Sequence, residues 1–484
     1  MRRLAIAALT VAMLVVPATQ SLGSTDDVRL EPDADARPVI RDSIHVHGDD
    51  ELANHSAVRD GNGTAEDPYR IADWVLLQDE VPLLRSEHPG LWLDGTTDHV
   101  LVENLVLTPG YAQIAVHLDG AENVTLRDVW IQGAATGLLV EDSETVDIDR
   151  LLVDPPRGYP LGFDRAIRVF KSHDITVANA HVDHADNPLW IDANEGVRVE
   201  DSTFRSEGFL GDSPDWGGSP LSNSTDVTIA RSLFNNTGFW PQHEMEEVRF
   251  AYNEFVAGPY FLSGLSHETT IATGEVCGNL VRNATAISQP AVDLDLNGGS
   301  SVSVRGNVIV DNVEGVLVRE VDQASVRRNV VVGNSEFGVA VNSEDADVQD
   351  NSVHGNGEVI FAYPADARHN WWGDPEGPNV NGTNPDAGQL VNIWADVEFD
   401  PWLTSDPRSA EPAEVGPAAV DCGLPQGPAG VDAEPNLTAR IEATAETIVA
   451  AEEPLGPWPV DAKAEAEASA DVGPIPVPQP TRDR

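Results

Sequence analysis

The chain has 484 residues, a formal net charge of −51, and only two lysines among its 29 lysines and arginines. Phosphate recognition needs basic surface, so this balance excludes nucleic acid as a partner. Acid enrichment with lysine depletion marks a protein kept soluble at high salt, where screening removes the self-repulsion of its carboxylates.

Residues 1–24 carry Arg2 and Arg3, an apolar run from Leu4 to Val16, and then small and polar residues, which is the form of a secretory signal peptide. The run is short for a membrane span and no later stretch reaches its length, so the expectation is a secreted or cell-surface protein with no transmembrane anchor. Residues 25–60 are polar and acidic and read as a flexible leader. Within it, HVHGDD at 45–50 offers His45 and His47 as loose ligands for a divalent ion. GNGTAEDPYRIADWVL (61–76) is a glycine turn leading into a first strand, and GLWLDGTTDHVLVENLVL (90–107) reads as strand, turn, strand.

From there short coils recur, starting near Val100, Val124, Val146, Ile175, Val197, Val227 and Val248. A less regular coil lies around Cys277–Asn283, and further starts fall at Val302, Ala324 and Ala346. The register is clearest over 301–367, where SVSVRGNVIVDN, QASVRRNVVVGN and DADVQDNSVHGN place Asn307, Asn329 and Asn351 22 residues apart. Asn312, Asn334 and Asn356 keep the same step. Apolar alternation of period two, as at Val302 and Val304, is that of strands rather than helices. A unit too small to bury its own apolar face must stack on copies of itself, here as an all-β, single-stranded parallel β-helix of about 12 coils. In such a stack the aligned asparagines form amide ladders that hold the turns.

RHNWWGDPEGPN (368–379) closes the repeats, with Trp371 and Trp372 expected to cap the core, and the ordered body is expected to end at residue 408. Residues 409–484 are rich in Pro, Ala and Glu and read as a disordered acidic tail. Cys277 and Cys422 could bridge the tail to the body or stay free, and the sequence leaves both open.

GNGTAEDPYRI, the N-V-I-x-x-N coils and NWWGDPEGPN resemble secreted β-helix proteins of the NosD type, related to carbohydrate-binding and sugar-hydrolase β-helix domains. The resemblance spans roughly residues 61–404 and implies a right-handed, pectate-lyase-like solenoid. Its group holds polysaccharide lyases, hydrolases, epimerases, surface proteins and a copper-site accessory protein, so fold alone does not choose the activity. A copper site would want His with Met or Cys. Beyond the signal peptide Met245 is the only methionine, which argues against one.

The coils starting at Val146 and Val197 are longer than the rest. With their neighbours they place four loops, 154–165, 183–188, 205–219 and 235–246, at one angle on consecutive coils, forming a wall beside a groove. Tyr159, Phe209, Trp216, Phe239 and Trp240 supply aromatic faces for sugar rings. Asp164, Asp183, Asp186, Asp212 and Asp215 supply carboxylates. A hydrolase needs two carboxylates across the scissile bond. A lyase or epimerase needs a base and a group that neutralises a uronate, so Asp183, Asp186 and Asp212 are candidate Ca²⁺ ligands. Arg165, Arg168, His181 and His184 are candidates for base or charge clamp. The resulting expectation is a protein that binds, and in the enzymatic reading cleaves or epimerises, a polysaccharide or cell-surface glycan. A non-catalytic NosD-like scaffold is the alternative.

Overall fold

The structure, a computed structural model, describes residues 39–41, 43–77, 89–108, 114–154, 163–206, 219–258, 270–284, 290–295, 300–344, 346–406 and 421–424. Each coil contributes strands to three faces. The first two faces are joined by a bend at a single residue, so that Val100–Thr108, Glu122–Ile131 and Glu144–Val153 turn at Asn104, Asp128 and Arg150, all with positive φ. In later coils the bend separates two strands, as at Asn179 between His173–Ala178 and His181–Val182. The third face holds Ile114–Asp119, Thr136–Glu141, Phe163–Phe170, Ala185–Asp192, Ser219–Ser222 and Phe239–Gln242 in parallel order. It ends at a second positive-φ bend, at Gly120, Asp142, Lys171, Ala193, Asn223 and His243 in turn. Left-handed backbone outside glycine costs about 1–3 kcal/mol per residue, so the stacking on either side must offset each bend.

The first-face register confirms the coil starts read from the sequence. Val100, Val124, Val146, Ile175, Val197, Val227 and Val248 are successive Cα partners, and Gly274 links Val248 to Val302. Inward residues of all three faces, among them stacked Phe204, Phe234 and Phe255, form one continuous core. Trp372 closes it, fully buried and edge-on to Phe399.

The amide ladder is also present. Asn253, Asn279, Asn307, Asn329, Asn351 and Asn370 each give a side-chain N–H to the Oδ1 of the next rung, or for Asn370 to backbone carbonyls. In lower coils Ser202 and Ser232 occupy the same column, each hydroxyl accepting a backbone N–H.

Two features depart from the sequence reading, and a third settles an alternative it left open. The leader expected at 25–60 is part of the solenoid from residue 39. Val39–Arg41 pairs with Tyr69–Leu77, and Ile44–His47 pairs with Leu91–Asp94, because Ile44 and Val46 alternate into the core beneath their polar neighbours. Phe239, read as a sugar-facing aromatic, is fully buried against Phe234 and Phe250. Cys277 and Cys422 form a disulfide that ties residues 421–424 to the outside of the first face, where Tyr252 and Ala251 complete the contact. The tail beyond residue 424 lies outside the described residues. No helix among the described residues is long and apolar enough to cross a membrane.

Candidate functional site

Every third-face strand presents an outward residue three positions before its bend. Pairing aligns these as one column: His45, Trp92, His117, Leu139, Arg168, Trp190, Pro220 and Trp240. Strands in a sheet stand about 4.8 Å apart, so the column offers aromatic or cationic steps, interrupted at Leu139 and Pro220, on a scale close to one sugar unit. Trp92 stacks on His117 with ring centroids 5.8 Å apart and planes 9° from parallel, and His45 and His47 meet its edge at 5.8 and 5.2 Å. Farther along, Arg165 and Arg168 lie over the Trp190 ring at 4.6 and 5.1 Å from its centroid.

A second column runs beside it through His47, Asp94, Asp119, Glu141, Phe170 and Asp192. His47 Nδ1 lies 2.8 Å from the Asp94 carboxylate. Burial raises the Asp119 pKa, His117 opposes the rise, and Asp94, Glu141 and Asp142 reinforce it.

At the corner between the second and third faces, Asp154, Asp183 and His184 each bring one ligand atom within 4.8 Å of the others. Backbone pairing of Val153 with Val182 stacks Asp154 beneath Asp183, and the positive φ of His184 turns the chain toward the third face. His181 Nε2 lies 3.5 Å from Asp183, and Arg205 lies 3.6 Å away on the other carboxylate oxygen. Burial alone would raise the Asp183 pKa. The hydrogen bond from His181 and the charges of His181, Arg205 and His184 outweigh it, and the net shift is downward.

Ca²⁺ takes about six to eight oxygen ligands, whereas this corner offers two carboxylates and an imidazole with a guanidinium already beside one of them. The donor set suits proton transfer better than the expected Ca²⁺ site. Of the expected ligands, Asp186 is exposed on the following strand and is not in the cluster, and Asp212 lies outside the described residues. Tyr159, Phe209, Asp215 and Trp216 also lie outside them. Among the other expected residues, Trp240 takes its place in the third-face column, Arg165 stands over Trp190, and Asp183 and His184 meet at the corner.

A groove of 730 Å³ on the first face is lined by residues such as Thr228, Ser303, Ser325, Glu275 and Asp347. It has no aromatic lining, and two of its carboxylates are matched by arginines: Glu275 pairs with Arg249 and Arg305, and Asp347 pairs with Arg327. Trp92, Trp190 and Trp240, with Arg165 and Arg168, lie on the third face instead.

Sequence reasoning missed Trp92, His117, Trp190 and Asp154. Loops of unequal length precede the third strand, so counting forward from a coil start loses its register. Counting back three residues from each bend recovers the column.

The model for the "Right handed beta helix region" family matches residues 242–370, and the stacked parallel coils give the chain a right-handed β-helix fold. No curated protein matches the sequence. Among solved structures, PfbA, a surface adhesin of Streptococcus pneumoniae, is 12% identical over 58% of this chain and 82% of its own, with a TM-score of 0.33. The A-module of the Azotobacter vinelandii mannuronan C-5 epimerase AlgE6 is 12% identical over 70% and 87%, with a TM-score of 0.32. The tailspike of E. coli bacteriophage HK620, solved with a pentasaccharide, is 11% identical over 69% and 71%, with a TM-score of 0.39.

Proposed function

We propose that this β-helix protein is exported, works at high salt, and binds an extracellular polysaccharide along its third face. One observation carries the reading: outward Trp92, His117, Trp190 and Trp240 lie on a single straight column of that face. Aromatic side chains give large contact area at low entropic cost, and half-buried rings of this kind suit contact with the apolar faces of sugar rings. A disulfide, together with the signal-peptide form of residues 1–24, supports an oxidising, extracytoplasmic setting.

The reading extends to processing of the bound chain at the Asp154–Asp183–His184 corner. Asp183, held ionised by His181 and Arg205, suits electrostatic support of developing positive charge, and exposed His184 beside it suits the proton-transfer group. The loops 155–162 and 207–218 enter third-face strands directly in sequence. Tyr159, Trp216, Asp212 and Asp215 therefore remain candidates to border the same site.

The test is a screen of the purified protein against uronic-acid and neutral polysaccharides in concentrated salt, with and without Ca²⁺. Binding with new reducing ends indicates hydrolysis, and binding with unsaturated ends indicates elimination. Binding with neither product but an altered sugar configuration by NMR indicates epimerisation. Absence of binding to every glycan refutes the proposal and leaves the NosD-like scaffold.

A further inference from the structure

We propose that Arg165 and Arg168 form a receptor for an anionic substituent, a carboxylate or a sulfate ester, so that the ligand of the third face is an acidic polysaccharide. This rests on the reading that the third face binds a glycan.

In a chain this acidic, many arginines on the faces find carboxylates. Arg231 reaches Asp201 and Glu200, Arg282 reaches Glu254, and Arg150 reaches Asp128 and Asp149. Arg165 and Arg168 do not. Among the described residues neither guanidinium group has a hydrogen bond or an ion pair, and the Nε atom of each is buried without a partner. Both guanidinium groups instead lie over Trp190, whose indole N–H is also buried and unpartnered.

Their placement follows from register. Arg168 pairs with Trp190 on the next coil, and Ala166 and Ile167 between the two arginines are both buried, so strict alternation is broken here and both guanidinium groups reach the same Trp190 ring. Two like charges held together on a half-buried face repel each other. Burial and the Arg165 charge lower the pKa of Arg168, with Glu141 and Asp192 only partly opposing.

An anion between the two guanidinium groups would remove that repulsion and accept their unused N–H donors. The planar fork of arginine matches carboxylate and sulfate oxygens in pairs, which a lysine ammonium does not. The Trp190 ring beneath the two guanidinium groups fixes their place on the column, so the charged substituent would be clamped there. An uncharged glycan would leave both guanidinium groups unpaired, so the site discriminates by charge.

The experiment compares two matched pairs of polymers on the full-length protein by calorimetric titration: alginate against carboxyl-reduced alginate, and dextran sulfate against dextran. Wild-type protein is expected to prefer at least one charged member by about ten- to hundred-fold, the worth of a charge-assisted hydrogen-bond pair. Which pair shows the preference tells carboxylate from sulfate. The double variant Arg165→Gln/Arg168→Gln should lose the preference while still binding the neutral member, with its melting temperature confirming the fold. Arg165→Lys/Arg168→Lys should retain part of it. Equal wild-type affinity for charged and neutral members overturns the receptor, as does a preference that survives in the Gln variant. Loss of all glycan binding in wild type instead overturns the third-face reading.

Discussion

Replacing Asn329 by alanine should remove one rung of the amide ladder at a cost that its hydrogen bonds define. Asn329 is 1% exposed. Its Oδ1 accepts the Asn307 backbone N–H at 2.9 Å and the Asn307 side-chain amide at 3.0 Å. Its own amide donates to the Val304 carbonyl at 2.8 Å and to Asn351 Oδ1 at 3.0 Å. Asn307's amide keeps Val276, and Asn351 Oδ1 keeps the backbone N–H of residue 329, so two groups lose their ladder partner: the Asn307 N–H and the Val304 carbonyl. At about 1–3 kcal/mol for each buried group left unsatisfied, Asn329→Ala should cost about 2–6 kcal/mol. Asn329→Ser should cost roughly half, because a serine hydroxyl can accept the neighbouring N–H as Ser232 does from Ser202 at 3.1 Å. Urea unfolding in concentrated salt measures both, read as a lower midpoint at unchanged slope. A loss below about 1 kcal/mol for Asn329→Ala, or a serine variant as damaged as the alanine one, would refute the ladder argument.

Two carboxylates should respond to pH with opposite signs. The Asp183 pKa is lowered, so its contribution is present above the ordinary value of 3.8 and is lost as pH falls through the folded value. Asp183→Asn should therefore flatten the acid limb of a melting-temperature profile. The Asp119 pKa is raised, so its ionisation destabilises the fold as pH rises from 3.8 through the folded value. Asp119→Asn should melt higher than wild type at neutral pH and equal to it in acid. Reducing the Cys277–Cys422 bridge, which closes 145 residues, should cost about 2–4 kcal/mol and lower the melting temperature. It should also free Tyr252, whose hydroxyl accepts the Cys422 N–H at 2.8 Å. An unchanged melt with reductant would contradict this. With a net charge of −51, raising KCl from about 0.1 to 1 M shortens the screening length from about 10 to about 3 Å and should raise the melting temperature. A flat salt response would remove the case for salt adaptation.

The architecture was legible because its signals are local. Asn307, Asn329 and Asn351 recur at a fixed step, and Val100, Val124 and Val146 mark strands whose alternation needs no tertiary context. Ile44 and Val46 carried the same alternation, but the acidic residues around them hid it. The site was legible only in part. Arg165, Asp183, His184 and Trp240 stood out by residue type in long loops or beside them. Phe239 had the same appearance and faces the core, since one step along a strand reverses the side on which a residue points. Trp92 and Trp190 sit on regular strands, where no loop marks them. Asp154 joins Asp183 only through stacking of coils that lie 29 residues apart in sequence.

The central claim is that glycan binds the third face rather than the first-face groove. Glycan titration of the full-length protein tests it most directly, comparing the triple variant Trp92→Ala/Trp190→Ala/Trp240→Ala with Ser303→Trp, which fills the groove. At about 2 kcal/mol for each anchoring aromatic removed, the triple variant should bind at least about thirty-fold more weakly, the loss of a single anchor, and Ser303→Trp should bind as wild type does. Wild-type affinity in the triple variant together with lost binding in Ser303→Trp would contradict the account.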